Sequence, residues 1–298
     1  MSHDTTDTRV GPPTAEHRVD LPDGRTATAA EYGDPAGPVV VLCHAAPGSS
    51  HLDPDPAATA AAGVRLVSVD RPGYGGSTPL GAGTAPTITG FADDLAAVLA
   101  ALGLGEVAVA GWSAGGRVAL ALAARHPAVV RAVAVVATPA PHEEVPWIPA
   151  EHAAMLDQLR ADPGGATAAL APAFGEVVGA PRDARVATVA TGPADAAVLA
   201  ADPAAGARLA GMLDVAFAQG ALGMAADIVS YTVVPWGFDP SAVGAPTTAF
   251  YGADDVIVPP AHGEWYVARV PGASLRVVAG AGHLVALAAW GEILEALA

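Results

Sequence analysis

The run Val107 to Ala110 is apolar and stops at Gly111-Trp112-Ser113-Ala114-Gly115-Gly116, after which the chain resumes with a helix-forming stretch. A serine between glycines at a strand-to-helix junction constrains the fold more than any other feature of this chain. The backbone must leave the strand so sharply that the serine is held in a strained conformation and only small neighbours fit around it. Gly111, Ala114, Gly115 and Gly116 meet that demand. The pattern predicts a buried strand, a serine hydroxyl at the apex of a turn, and a helix starting directly behind it.

The 298 residues can bury a sizeable core, and one compact α/β unit with an insertion is expected. A formal net charge of −16 argues against nucleic acid and anionic membrane surfaces as partners, because both call for a basic patch. All fourteen basic residues are arginine, which excludes Schiff-base chemistry on lysine and a P-loop lysine. Mean hydropathy is +0.40, but alanine supplies most of it. Every apolar run is interrupted well short of the ~18 residues that a membrane helix needs. Cys43 is the single cysteine, so no intramolecular disulfide forms. The polar, acidic stretch 1–15 reads as a flexible arm without a signal or transit pattern, and a cytoplasmic location is expected.

Further along, His17 to Leu21 and Arg25 to Glu31 flank the turn tripeptide Pro22-Asp23-Gly24 and read as a β-hairpin. Val39 to Cys43 and Val64 to Val69 are apolar runs that end in Pro/Gly-rich loops, as strands buried on both faces of a parallel sheet do. An alanine-rich helical stretch lies between them. Helical patterns over Ile88 to Leu102 and Ala114 to Arg125 then alternate with strands at Val107 to Ala110 and Val130 to Ala137. Alternation of this kind implies a doubly wound sheet with functional loops at the C-terminal strand ends. From Pro139 to Pro235 the rhythm breaks into helical segments such as Ala153 to Leu159 and Leu209 to Phe217. Strand character returns at Thr247 to Tyr251 and Leu275 to Val278. The division expected is a core of residues 16–138 and 236–298 with a helical cap inserted over 139–235.

A serine hydroxyl needs a base within reach, usually oriented by a carboxylate. Of the nine histidines, His283 directly follows the last strand in Gly280-Ala281-Gly282-His283-Leu284, so its loop opens on the same sheet edge as Ser113. Asp254 and Asp255 follow the preceding strand on that edge. Serine, aspartate and histidine therefore come in the chain order of the nucleophile elbow, whose first oxyanion donor is the backbone N–H after the serine, here Ala114.

These residues resemble the α/β-hydrolase superfamily, in its serine-nucleophile, esterase-like branch with a helical cap. Asp70-Arg71-Pro72-Gly73-Tyr74-Gly75-Gly76-Ser77 is similar to the family's D-x-P-G-x-G-x-S loop, and Gly252 to Pro259 to its G-x-x-D-x-x-V-P. The resemblance implies a mostly parallel sheet of about eight strands with helices on both faces. It places the catalytic acid at Asp255 rather than Asp254, with a carboxylate at Glu143 or Glu144 as a substitute used by some relatives. It also implies that Ala46, in His44-Ala45-Ala46-Pro47-Gly48, supplies the second oxyanion N–H. Ala45 stands where relatives carry glycine, and alanine tolerates positive φ poorly. Either the backbone there is ordinary or the oxyanion hole is reshaped; His44 is expected to shape the loop by hydrogen bonding. Serine at the elbow argues against the aspartate-nucleophile epoxide hydrolases and dehalogenases of the superfamily.

No metal-ligand spacing occurs, and neither a metal nor a cofactor is expected. Trp112, Trp147, Phe217, Tyr231 and Trp236 are candidates for the substrate pocket, since such pockets are mostly apolar. The expected activity is hydrolysis of a small or medium carboxylic ester through an acyl-enzyme. A thioesterase, lactonase, peptidase, C–C bond hydrolase or cofactor-free perhydrolase could use the same residues, as could a receptor that keeps the fold and binds a small ligand without turnover.

Overall fold

The computed structural model describes residues 11–298, so residues 1–10 of the expected arm lie outside the described residues. The chain begins with an antiparallel hairpin of β1 (Ala15–Asp20) and β2 (Thr26–Gly33), turned at Gly24 with φ +85°. Then follow β3 (Val39–Cys43), α1 (Pro56–Ala62), β4 (Arg65–Val69), α2 (Ile88–Ala101), β5 (Val107–Trp112), α3 (Ala114–Arg125) and β6 (Val130–Val136). After an insertion come β7 (Thr247–Gly252), α11 (Ala261–Val267), β8 (Ser274–Val278), α12 (Val285–Ala288) and α13 (Trp290–Ala296). The eight strands form one sheet in the order β1-β2-β4-β3-β5-β6-β7-β8. Only the β1–β2 and β2–β4 pairs are antiparallel.

Period-two alternation explains why the central strands read as unbroken apolar runs: both faces are covered. Val40, Leu42, Ala108 and Ala110 face one core with Ile293 and Leu294 of α13. Val41, Cys43, Val107 and Val109 face the other, with Phe91 and Leu95 of α2 and Val118 and Leu122 of α3. Local signals set the helix ends. The Asp55 carboxylate accepts the N–H groups of Ala57 and Ala58 to start α1, Gly63 at φ +61° ends it, and the Thr87 hydroxyl accepts from Gly90 to start α2.

Between β6 and β7 the chain inserts α4 (Ala153–Ala161), α5 (Ala166–Leu170), α6 (Gly175–Gly179), α7 (Arg182–Val186), α8 (Gly192–Ala201), α9 (Pro203–Ala216) and α10 (Leu222–Thr232), with no strand among them. Leu209, Met212 and Leu213 of α9 pack into the sheet's own core, whereas Ala225 and Val229 of α10 close a separate small core with Leu156, Leu159 and Leu170. Among the described residues, no helix is long and apolar enough to cross a membrane.

An ion pair ties the insertion to the sheet. Arg71, in the loop after β4, donates to both carboxylate oxygens of Asp227 on α10, Nε at 2.7 Å and Nη2 at 2.6 Å, and Tyr74 adds its hydroxyl at 2.7 Å. The same guanidinium donates to the carbonyls of His44 and Ala45. Gly73, at φ +84°, lets this loop approach α10, because a Cβ there would lie 2.8 Å from the Gly223 nitrogen. Arg71 and Asp227 are both buried, so removing one partner strands the other charge. Asp227→Ala is expected to lower stability by about 3–5 kcal/mol, read from the urea midpoint, and adding Arg71→Met recovers much of it. A loss no larger than that of a surface substitution would contradict the pair's structural role.

Candidate active site

β3, β5, β7 and β8 run parallel, so the loops after them open on one sheet edge, as doubly wound sheets require. Ser113 directly follows β5 and caps α3 with φ 54° and ψ −119°, a conformation that costs non-glycine residues of order 1–3 kcal/mol. Its backbone N–H is tied to the Val136 carbonyl at 2.8 Å. The flanking glycines permit the close packing that holds this strain. A Cβ on Gly111 would meet the Gly116 Cα, one on Gly115 would sit on the Cys43 carbonyl, and one on Gly116 would strike the Thr138 hydroxyl.

His283 Nε2 lies 3.2 Å from the Ser113 Oγ, and its Nδ1 lies 2.9 Å from Asp255 Oδ2. The hydrogen-bond network assigns the proton to Nδ1, which donates to the carboxylate and leaves the Nε2 lone pair for the serine hydroxyl. Asp255 Oδ1 accepts the N–H groups of Ile257 at 2.8 Å and Val258 at 2.9 Å. Burial alone would raise the Asp255 pKa, but the hydrogen bond and charge of His283 and these two N–H groups hold it below 3.8. Such an arrangement can withdraw a proton from Ser113 and stabilise the imidazolium that results.

The structure does not bring the alternative candidates Asp254, Glu143 and Glu144 to His283. Asp254 is exposed, Glu143 reaches Arg160 at 3.6 Å, and Glu144 accepts from Trp265 Nε1 and pairs with Arg269. Other buried histidines are occupied. His262 Nδ1 accepts the Ala140 N–H, and burial with the Arg117 charge pushes its pKa down to about 4. His44 donates Nδ1–H to the Ala45 carbonyl and stays neutral, because burial and the Arg71 charge hold its pKa well below 6.5.

Among the described residues, the backbone N–H groups of Ala46 and Ala114 have no hydrogen-bond partner, and both residues line the cavity at Ser113. Ala114 is the first residue of α3, where a helix leaves its N–H groups free for an anion. Ala45 takes an ordinary negative φ, so its loop is built without the glycine conformation. Gly48 carries the closer constraint there, since a Cβ on it would lie 2.6 Å from the Ala45 carbonyl.

The cavity at Ser113 measures about 140 Å³, and Trp112, Trp147 and Tyr231 line it, together with Arg117. Phe217 and Trp236 do not. Phe217 packs into the core shared by the sheet and α9, and Trp236 stacks on Phe238 and Tyr266 at ring separations of 6.0 and 6.4 Å. Large apolar residues on alanine-rich segments carry no local sign of which face they take.

Two supports for His283 were not identified from the sequence. The indole Nε1–H of Trp112 donates to the His283 carbonyl at 3.0 Å, so the residue before the serine anchors the histidine loop. Asp195, on α8 of the insertion and fully buried, accepts the Leu284 N–H at 2.8 Å and the Thr191 N–H at 2.7 Å. Burial raises the Asp195 pKa, against the pull of those N–H groups. No motif marks an aspartate that lies 88 residues before the histidine it supports. Asp195→Asn can keep one acceptor but sets an amide N–H against the other donor. It is expected to cost about 1–3 kcal/mol in denaturant unfolding and to lower kcat as the His283 loop loosens; unchanged kcat would count against the anchoring role.

A family model described as alpha/beta hydrolase fold matches residues 38–288. The chain is 30% identical over 229 residues to a non-heme haloperoxidase of Rhodococcus erythropolis, covering 74% of this chain and 76% of that protein. A hydrolase from Pseudomonas aeruginosa superposes with a TM-score of 0.69 at 21% identity, covering 95% of this chain and 97% of the other. An esterase from Thermogutta terrifontis superposes at 0.68 and 19% identity, covering 95% and 96%.

Proposed function

The chain belongs to the alpha/beta hydrolase family, and on that premise we propose that it is a serine hydrolase of small or medium carboxylic esters. The observation that carries this reading is the unbroken line from Ser113 Oγ through His283 to the buried Asp255. Ser113 attacks the ester carbonyl as His283 takes its proton, and the Ala46 and Ala114 N–H groups receive the oxyanion. His283 returns the proton to the departing alkoxide. A water deprotonated by His283 then attacks the acyl-enzyme, and collapse of the second oxyanion frees the carboxylic acid and Ser113. The helices between β6 and β7 act as a cap that limits what reaches the cavity. A cytoplasmic site of action belongs to this proposal.

The likeness to a protein named haloperoxidase favours one second reading on the same residues. Hydrogen peroxide in place of water at the acyl-enzyme would give a peracid and restore Ser113. Three measurements test the pair. Incubation with a fluorophosphonate is expected to give one covalent adduct, on Ser113, and para-nitrophenyl acetate is expected to turn over. Absence of both would overturn the serine hydrolase reading. Peracid formation from acetate and peroxide that outpaces ester hydrolysis would favour the second.

A further inference from the structure

Arg117 lies on α3 four residues after Ser113, so the two share one helix face about one turn apart. Helical side chains lean toward the N-terminus, which carries this one back toward the elbow. The residue is 1% exposed, yet no carboxylate among the described residues lies within ion-pair distance of it. Its Nη2 donates to the Pro139 carbonyl at 2.7 Å, the Tyr266 hydroxyl lies against the guanidinium, and the buried Nε has no partner. The guanidinium carbon stands 4.2 Å from the Tyr231 ring centroid, 5.2 Å from that of Trp236 and 6.0 Å from that of Trp147. These rings pack around the guanidinium as cation–π neighbours and supply no counter-charge.

A buried cation is ordinarily paired, since burial without a partner is costly. Here no carboxylate among the described residues pairs with the guanidinium, at a position that lines the cavity at Ser113. In a chain of net charge −16 an anion is repelled at long range, so retaining one needs a local, desolvated donor. We propose that Arg117 is an anion-binding group of the Ser113 cavity, and that the favoured substrate is an ester carrying a carboxylate about one helical turn from the scissile carbonyl. The proposal rests on the reading of Ser113 as nucleophile and adds the chemical class of its substrate.

The test compares matched esters that differ in one charge: para-nitrophenyl hydrogen adipate against its terminal carboxamide for an acyl-side anion, and para-acetoxybenzoate against para-acetoxybenzamide for an alcohol-side one. Wild-type kcat/KM is expected to favour the carboxylate in one pair by roughly 10- to 100-fold, the range of a charge-assisted hydrogen bond. In Arg117→Met that ratio falls to about one, while Arg117→Lys retains part of it, keeping the charge without the planar fork. Free adipate is expected to raise the melting temperature of wild type and not of Arg117→Met.

The proposal is overturned if wild type prefers neither carboxylate, or if Arg117→Met lowers both members of a pair alike, as a purely structural pillar would. Should Arg117→Met fail to fold, the wild-type ratios and adipate against adipamide as competitive inhibitors decide. Turnover of para-nitrophenyl acetate without charge preference sinks the anion site alone. A protein that turns over no ester and forms no fluorophosphonate adduct sinks the nucleophile reading, and the adipate melting shift then decides whether Arg117 binds anions.

Discussion

Ser113→Ala is expected to lower kcat on para-nitrophenyl acetate by about 10⁴–10⁶-fold, to abolish the fluorophosphonate adduct, and to leave the melting temperature within a few degrees of wild type. The loss is that large because, among the described residues, no hydroxyl other than that of Ser113 is hydrogen-bonded to His283. Cys43 is buried and its thiol pKa is pushed up to about 12 by that burial, so it does not substitute. The fold persists because, among the described residues, Ser113 Oγ hydrogen-bonds only to His283, while the elbow is held by the backbone bond to Val136 and by the glycine contacts. His283→Ala in the same background adds almost nothing, since residues that act as one unit are not additive. Equal rates for wild type and Ser113→Ala would remove the serine mechanism.

Asp255→Asn is expected to reduce kcat about 10⁴-fold, whereas Asp254→Asn changes it less than about threefold. The carboxamide is nearly isosteric, but its NH₂ next to Nδ1 turns the imidazole to the tautomer that carries its proton on Nε2. That proton then faces Ser113 Oγ, and the base is gone. Asp254 is exposed and, among the described residues, hydrogen-bonds only through its backbone N–H to Ala281, so its side chain has no such leverage. Acid stability distinguishes the two variants as well. A carboxyl held below 3.8 contributes stability that is present above its unfolded pKa and lost as pH falls through its folded one. Wild type and Asp254→Asn should therefore lose stability below about pH 4 more steeply than Asp255→Asn. Matching activities of the two variants would reassign the acid.

Much of the fold and the grouping of residues at the candidate site were legible because their signals are local or follow chain order. The run Val39 to Cys43 coincides with β3, and the strand, serine and helix around Gly111 appear as β5, Ser113 and α3. Their pattern reports burial on both faces and a backbone only small residues tolerate. Ser113, Asp255 and His283 could be aligned because parallel strands present their C-terminal ends on one edge, whatever the distance in sequence. Pocket lining was read less well, and for a physical reason. Trp236 and Tyr231 are similar in size and chemistry and lie in one segment, yet one is spent on stacking with Tyr266 while the other walls the cavity.

By itself, then, the sequence determined the sheet, the elbow and the order of the groups around it, since hydrophobic period and glycine sterics act over a few residues. Only the tertiary structure decided which groups are held, and by what. Asp195 reaches the His283 loop from the insertion, Arg71 joins the Ala45 loop to Asp227, and Arg117 is left buried beside Ser113 with no counter-charge among the described residues. Burial and partnership of a charge depend on everything packed around it, and no run of neighbouring residues encodes that.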